Sequence, residues 1–207
     1  MPSRIAVVNY DAGNLYSVLR GLKACDVEPV VVSQPAELHG CSGIILPGVG
    51  AFPNGMERLN ATGLADAIRE KVERGIPLLG ICLGAQLLLD WSDEFGRTVG
   101  LGLVAGNVVR MHPGEGIKVP HVGWAPLYGD QGWEGTLLAD CQGSEFFYFN
   151  HSFVCVPTNP KLSLASTDYG ETRFTAVFSQ GCVSGIQFHP ELSSWPGIGI
   201  LQRFVRT

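Results

Sequence analysis

Charge of either sign is scarce in this sequence: Lys, Arg, Asp and Glu together make up 16% of 207 residues, with 14 bases against 19 acids. A net charge of −5 leaves no basic footprint for a phosphate backbone, which argues against nucleic acid as a partner. Long apolar runs are missing too. The opening residues MPSRIAVVNY hold one Arg and only a short apolar stretch, too little for a signal peptide, and nowhere do about 18 uninterrupted apolar residues suggest a membrane span. Six cysteines (Cys25, Cys41, Cys82, Cys141, Cys155, Cys182) occur without a CxxC pair, which fits neither a secreted disulfide scaffold nor a zinc knuckle. These absences point to the reducing cytoplasm, and no metal or cofactor is expected. What is present is a core: hydrophobic residues reach 45%, and the length suits one domain spanning 1–207. Glycine, at 27 residues, is nearly twice as common as usual and has no collagen-like period, so tight turns between strands and helices are expected.

The periodicity changes midway. Ile5 to Asn9 is a short β-branched run, followed by the turn Asp11-Ala12-Gly13-Asn14 and a helical pattern through Leu15, Val18, Leu19 and Leu22. Strands are predicted at Pro29–Val32, Gly43–Leu46 and Pro77–Gly80, and helices near Pro53–Asn60, Leu64–Arg74 and Gly84–Trp91. Apolar strands alternating with helices predict an α/β fold with a mostly parallel sheet covered on both faces. After Asn107 closely spaced strands follow, at Phe146–Phe149, Phe153–Val156, Leu162–Thr167, Phe174–Phe178 and Cys182–Phe188, with antiparallel connections expected in one shared sheet system. A last helix is predicted over Gly197–Val205.

Gly80-Ile81-Cys82-Leu83-Gly84 carries the most chemistry. It has the form G-x-nucleophile-x-G between a strand and a helix, where small flanking residues allow a sharp turn that lifts Cys82 out at the carboxyl edge of the sheet. The following helix start would lower the pKa of the thiol, and the Leu83 N–H would face a developing oxyanion. A lone cysteine is more often a buried small hydrophobe. A nucleophilic thiol also needs a base, and His189, at the end of an apolar strand and two residues before Glu191, supplies one: in an extended segment the two side chains share a side, and Pro190 stiffens the link. The predicted triad is Cys82, His189 and Glu191. His39 and His112 read as solvated side chains, whereas His121 and His151 read as either core or site-lining. The turn Pro47-Gly48-Val49-Gly50 falls at the same sheet edge, where the N–H of Val49 or Gly50 suits a second oxyanion donor; an ordinary strand-to-helix turn explains it equally well.

Together GICLG, the distant QFHPE (Gln187 to Glu191) and the earlier LPGVGAF (Leu46 to Phe52) resemble the class I, triad-type glutamine amidotransferases, whose flavodoxin-like fold this implies. Within them, Ala12 to Leu15, Lys118 to His121 with Gly123-Trp124, Tyr148-Phe149 before His151-Ser152, and Thr167 to Gly170 are similar to the HisH-type glutaminase subunits of imidazole glycerol phosphate synthases. The resemblance implies hydrolysis of L-glutamine, with Gln86, Gly50, Ser152 and Phe153 contacting the substrate. It implies passage of ammonia to a HisF-type (β/α)8 cyclase subunit, in a heterodimer that makes imidazole glycerol phosphate and AICAR in histidine biosynthesis. The partner surface would include Asn14, Trp124, Tyr148 and Leu192.

Four positions depart from the pattern: Leu192 stands where Lys or Arg is usual, Ala125 for Asn, Asn150 for Val and Phe153 for Tyr. Leu192 and Ala125 are expected at the partner surface. Leu192 keeps open a subunit that feeds a different synthase, and a catalytically silent regulatory module of the same fold is a further alternative, against which the intact triad counts.

Overall fold

The computed structural model describes residues 4–11 and 13–206. In the first half, β1 (Ile5–Val8), β2 (Val30–Val32), β3 (Gly43–Leu46) and β4 (Leu78–Ile81) alternate with α1 (Leu15–Lys23), α2 (Phe52–Thr62) and α3 (Leu64–Glu73), and α4 (Leu83–Leu87) follows β4. The later elements are β5 (Trp91–Ser92), β6 (Thr98–Val99), β7 (Gly106–Arg110), β8 (His121–Pro126), β9 (Tyr128–Gly129), β10 (Phe146–His151), β11 (Phe153–Pro157), β12 (Ser163–Tyr169), β13 (Thr172–Gln180), β14 (Val183–Ile186) and α5 (Ser194–Val205).

One twelve-stranded sheet runs in the order β2-β1-β3-β4-β14-β13-β11-β7-β5-β6, with β12 attached to β13 and β9 to β12. From β2 to β14 every pairing is parallel, and from β14 to β7 every pairing is antiparallel. The expected single sheet system holds except for β8 and β10, which form a separate two-stranded ribbon. The strands β5 to β9 go beyond the sequence reading. They are short or rich in Gly, Pro and polar residues, so neither period stands out.

Alternation along each strand builds the two sides of the core. Ile5, Val7, Ile45, Leu79, Ile81 and Ile186 pack with Val18 and Leu22 of α1 and Ile200, Leu201 and Phe204 of α5. The intervening Ala6, Val8, Ile44, Leu46 and Leu78 pack with Phe52, Met56 and Leu59 of α2 and Leu64 and Ile68 of α3. Successive strand side chains point to opposite faces, so helices on both sides are required to bury them.

The helix expected to reach Trp91 ends at Leu87. The carbonyls of Leu87, Leu88, Leu89 and Asp90 accept hydrogen bonds from the N–H groups of Leu101, Leu103, Gly102 and Gly100 at 2.7–3.1 Å, so the returning chain replaces the next helical turn. The elbow before α4 depends on contact too tight for any side chain: a Cβ added at Gly84 would lie 1.7 Å from the Leu46 carbonyl oxygen. Gly84→Ala should therefore cost about 3 kcal/mol or more. By contrast Gly199→Ala, in α5 with nothing within 4 Å of the new methyl, should be neutral or stabilising. Urea unfolding followed by circular dichroism checks both, and equal midpoints would contradict the packing argument.

Candidate active site

Parallel pairing brings the carboxyl ends of β1, β3, β4 and β14 to one edge, where they deliver Asp11, Gly13 and Asn14, Pro47 to Gly50, Cys82, and Gln187 to Glu191. Residues distant in the chain meet because β4 and β14 are neighbours, with Gly80 opposite Gly185 and Ile81 opposite Ile186. The Cys82 N–H donates to the Ile186 carbonyl at 2.8 Å, which ties the elbow to β14. Cys82 itself has φ 53° and ψ −109°, a backbone geometry that non-glycine residues rarely adopt and that concentrates at functional sites. Its thiol is almost enclosed, lies 3.8 Å from the Asn150 carbonyl and accepts from Gln187 Nε2 at 3.9 Å.

His189 and Glu191 do pair, although not through an extended segment. Pro190–Leu192 is a turn of 3-10 helix that follows the extended His189, and it carries Glu191 back beneath the ring, so His189 Nδ1 donates to Glu191 Oε1 at 2.7 Å. The two side chains are 3% and 0% exposed, so this ion pair is out of reach of solvent screening. Burial pushes the imidazole pKa down, but hydrogen bonds to Cys82 and Glu191 and their negative charges outweigh it and raise the pKa to about 10. The imidazolium beside Cys82 thus supplies the positive charge that the sequence reading assigned to a helix terminus; α4, at five residues, has little macrodipole to offer.

The other buried histidines cannot carry a proton at neutral pH. Burial lowers the pKa of His121 to about 4 and that of His151 to about 3. The His121 ring stacks between Phe149 and Tyr169, with centroids 5.0 and 4.0 Å away. His151 Nδ1 donates to the Phe153 carbonyl at 2.9 Å.

A cavity of about 240 Å³ opens over Cys82, lined by Val49, Gly50, Leu83, Gln86, Glu94, Asn150, Ser152 and Phe153 among others. The expected substrate contacts Gly50, Gln86, Ser152 and Phe153 therefore converge. Gln86 Nε2 is already held by the Phe153 carbonyl at 3.1 Å and Gln187 Oε1 at 3.2 Å, which fixes the amide plane. The Leu83 N–H, expected to await an oxyanion, instead donates to the Gly48 carbonyl at 3.2 Å.

One lining group, Glu94, went unread in the sequence, and Gln187, read only as part of a motif, lies beside the cavity. Glu94 sits on the loop after β5, and Oε2 accepts from the Phe52 N–H at 2.7 Å. Gln187 is buried between Cys82, Gln86 and Cys155. An acidic pair close after the elbow, Asp93-Glu94, was the available signal, hidden by the helix expected to run through Trp91.

Of the expected surface residues, Trp124 is 51% exposed and Leu192 41%, and Tyr148 packs edge-on against Trp124 at 5.9 Å. Ala125 is buried in the core instead, because alternation along β8 turns it inward, so its departure does not alter an outer surface. Asn14 also turns inward, where its amide reaches Glu191.

Residues 6–207 match the family described as glutamine amidotransferase class-I. The chain belongs to this family. A class-I amidotransferase from Synechococcus sp. (strain JA-3-3Ab), "Imidazole glycerol phosphate synthase subunit HisH", is 42% identical over 98% of this chain and 93% of its own. The protein of the same name from Geobacillus kaustophilus (strain HTA426) is 45% identical over 97% and 95%. Among solved structures, PurLQS from Thermotoga maritima superposes with a TM-score of 0.76 at 21% identity, covering 100% of this chain and 99% of that one, which shows the shared class-I amidotransferase fold. Among the described residues no helix is long and apolar enough to cross a membrane.

Proposed function

We propose that the protein is the glutamine-hydrolysing subunit of an imidazole glycerol phosphate synthase, working in the cytoplasm as a single catalytic domain. The observation that carries this reading is the enclosed Cys82, His189 and Glu191 arrangement at the floor of a small cavity lined by Gln86 and Glu94. Near full-length similarity to proteins named as that subunit supports it.

Glutamine enters with its carboxamide toward Cys82. Glu94, whose second oxygen is available, pairs with the α-ammonium group, and Gln86 with the backbone at Ser152 and Phe153 orients the rest. Cys82 Sγ attacks the carboxamide carbon, and oxygen develops negative charge against the N–H groups of Leu83 and of Val49 or Gly50. Collapse breaks the C–N bond while His189 gives a proton to the departing nitrogen, leaving ammonia and a thioester. Water then attacks, His189 takes its proton, and glutamate leaves. Glu191 keeps the ring oriented throughout. Ammonia passes to a HisF-type (β/α)8 cyclase docked over Trp124, Tyr148 and Leu192, which converts a phosphoribulosyl formimino nucleotide to imidazole glycerol phosphate and AICAR.

The test mixes the chain with such a cyclase and its nucleotide and measures glutamate and imidazole glycerol phosphate together. Product from ammonium salts but none from glutamine would sink the proposal. The apolar, half-exposed Leu192 favours one second reading, a different ammonia-consuming synthase, and glutamine-dependent activity appearing only with another barrel would select it. Glu94→Gln should raise the KM for glutamine about tenfold with kcat little changed, since that contact is made equally in ground and transition states. A fall in kcat at constant KM would remove Glu94 from substrate binding.

A further inference from the structure

The carboxylate of Glu191 is fully enclosed, and its two oxygens are treated unequally. Oε1 accepts from His189 Nδ1 at 2.7 Å and from the side-chain amide of Asn14, whereas Oε2 has no hydrogen-bond partner among the described residues. Of the neighbouring helices, α1 presents Gly21 against the Glu191 side chain, and Leu201 of α5 lies against the same glycine. A buried carboxylate with one donor would be poorly satisfied and free to rotate away from the imidazole. Asn14 is the second donor. Its amide nitrogen is also 3.2 Å from His189 Nδ1; because that nitrogen already donates its proton to Glu191, the amide's hydrogen bond goes to the carboxylate.

The backbone explains why asparagine stands there. Asn14 has φ 59° and ψ 6°, the left-handed region that asparagine and glycine tolerate best, and it is the residue from which α1 starts. The turn is clamped from outside, where Arg58 Nη1 donates to the Asp11 carbonyl at 2.6 Å, and from inside, where Gly13 lies so close to Val49 Cγ2 that a Cβ would be 2.8 Å away. The amide is thus held in place before substrate arrives.

We propose that Asn14 is a positioning residue for the triad, holding Glu191 against His189. The inference rests on the glutaminase reading for its kinetics, so a second readout that needs no glutamine goes with it: the rate at which iodoacetamide alkylates Cys82, which reports the thiolate paired with His189.

Asn14→Gly keeps the left-handed backbone and deletes the donor. With the cyclase partner present, kcat for glutamine should fall about tenfold or more while KM stays within about twofold, because Asn14 does not line the cavity, and Cys82 alkylation should slow by a comparable factor. Asn14→Asp keeps shape and backbone preference but can donate only while the two carboxyl groups share a proton, so its kcat should fall with rising pH through a step that the wild type lacks. A glycine variant within twofold of wild type in both kcat and alkylation overturns the proposal. So does a loss confined to KM, or an aspartate variant whose pH profile superimposes on the wild type. Should the wild type prove unable to hydrolyse glutamine while Cys82 alkylation still depends on Asn14, the glutaminase reading falls and the positioning role stands.

Discussion

Cys82→Ser should lower glutamine hydrolysis by about a thousandfold or more while leaving the urea midpoint unchanged. The substitution swaps one small atom in a site already 5% exposed, so packing in the elbow survives and the unusual backbone angles are kept. What changes is the nucleophile. His189, held protonated by Cys82 and Glu191, can stabilise a thiolate, but a serine hydroxyl is far too weak an acid to ionise beside it. The measurement is steady-state glutamate release in the presence of the cyclase partner. Activity within a few-fold of wild type would show that another group attacks the amide and that the triad assignment is wrong.

The second large effect is expected from the partner. In the isolated chain the Leu83 N–H is occupied by the Gly48 carbonyl at 3.2 Å, so one of the two proposed oxyanion donors is not available to substrate. Removal of a single such donor typically costs about a hundredfold or more in kcat, and a docked barrel that turns the Gly48 to Gly50 peptides would restore it. Gly50, at φ 112° with nothing near its open side, can accept such a rotation at low steric cost. The expectation is weak basal hydrolysis and about a hundredfold stimulation by a nucleotide-loaded cyclase, seen in kcat/KM for glutamine. Full activity without the partner would exclude a gate of this kind.

The first half of the fold was legible because each strand is a short apolar run, with Pro29, Pro47 and Pro77 marking the bounds of β2, β3 and β4, and because α1 to α3 are long enough to show their own period. Gly43–Leu46 was read to the residue. Legibility failed where tertiary hydrogen bonding outvoted local preference: α4 stops because residues 100–104 bind its last carbonyls, and no local pattern announces a partner so far along the chain. The site followed the same division. Cys82 is marked by its two glycines and His189 by its place after a strand, so both could be named, and Glu191 was paired with His189 for a reason that geometry replaces, a tight turn instead of an extended pair. Glu94 and the inward-facing Asn14 depend on where loops land, which periodicity does not encode. Ala125 shows the converse, since a departure from a family pattern gave no hint that its side chain is buried.

The insertion of β14 between β4 and β13 also sets when this protein can become active during its synthesis. Cys82 leaves the ribosome on a strand whose parallel neighbour on one side, β3, already exists, while its neighbour on the other side and its base follow about a hundred residues later. Until Val183–Ile186 slots into the gap, the edge of β4 is unpaired and the thiol has no imidazole beside it. A stalled or nicked chain lacking that strand therefore cannot hydrolyse glutamine, and nascent chains release no ammonia before the sheet is closed.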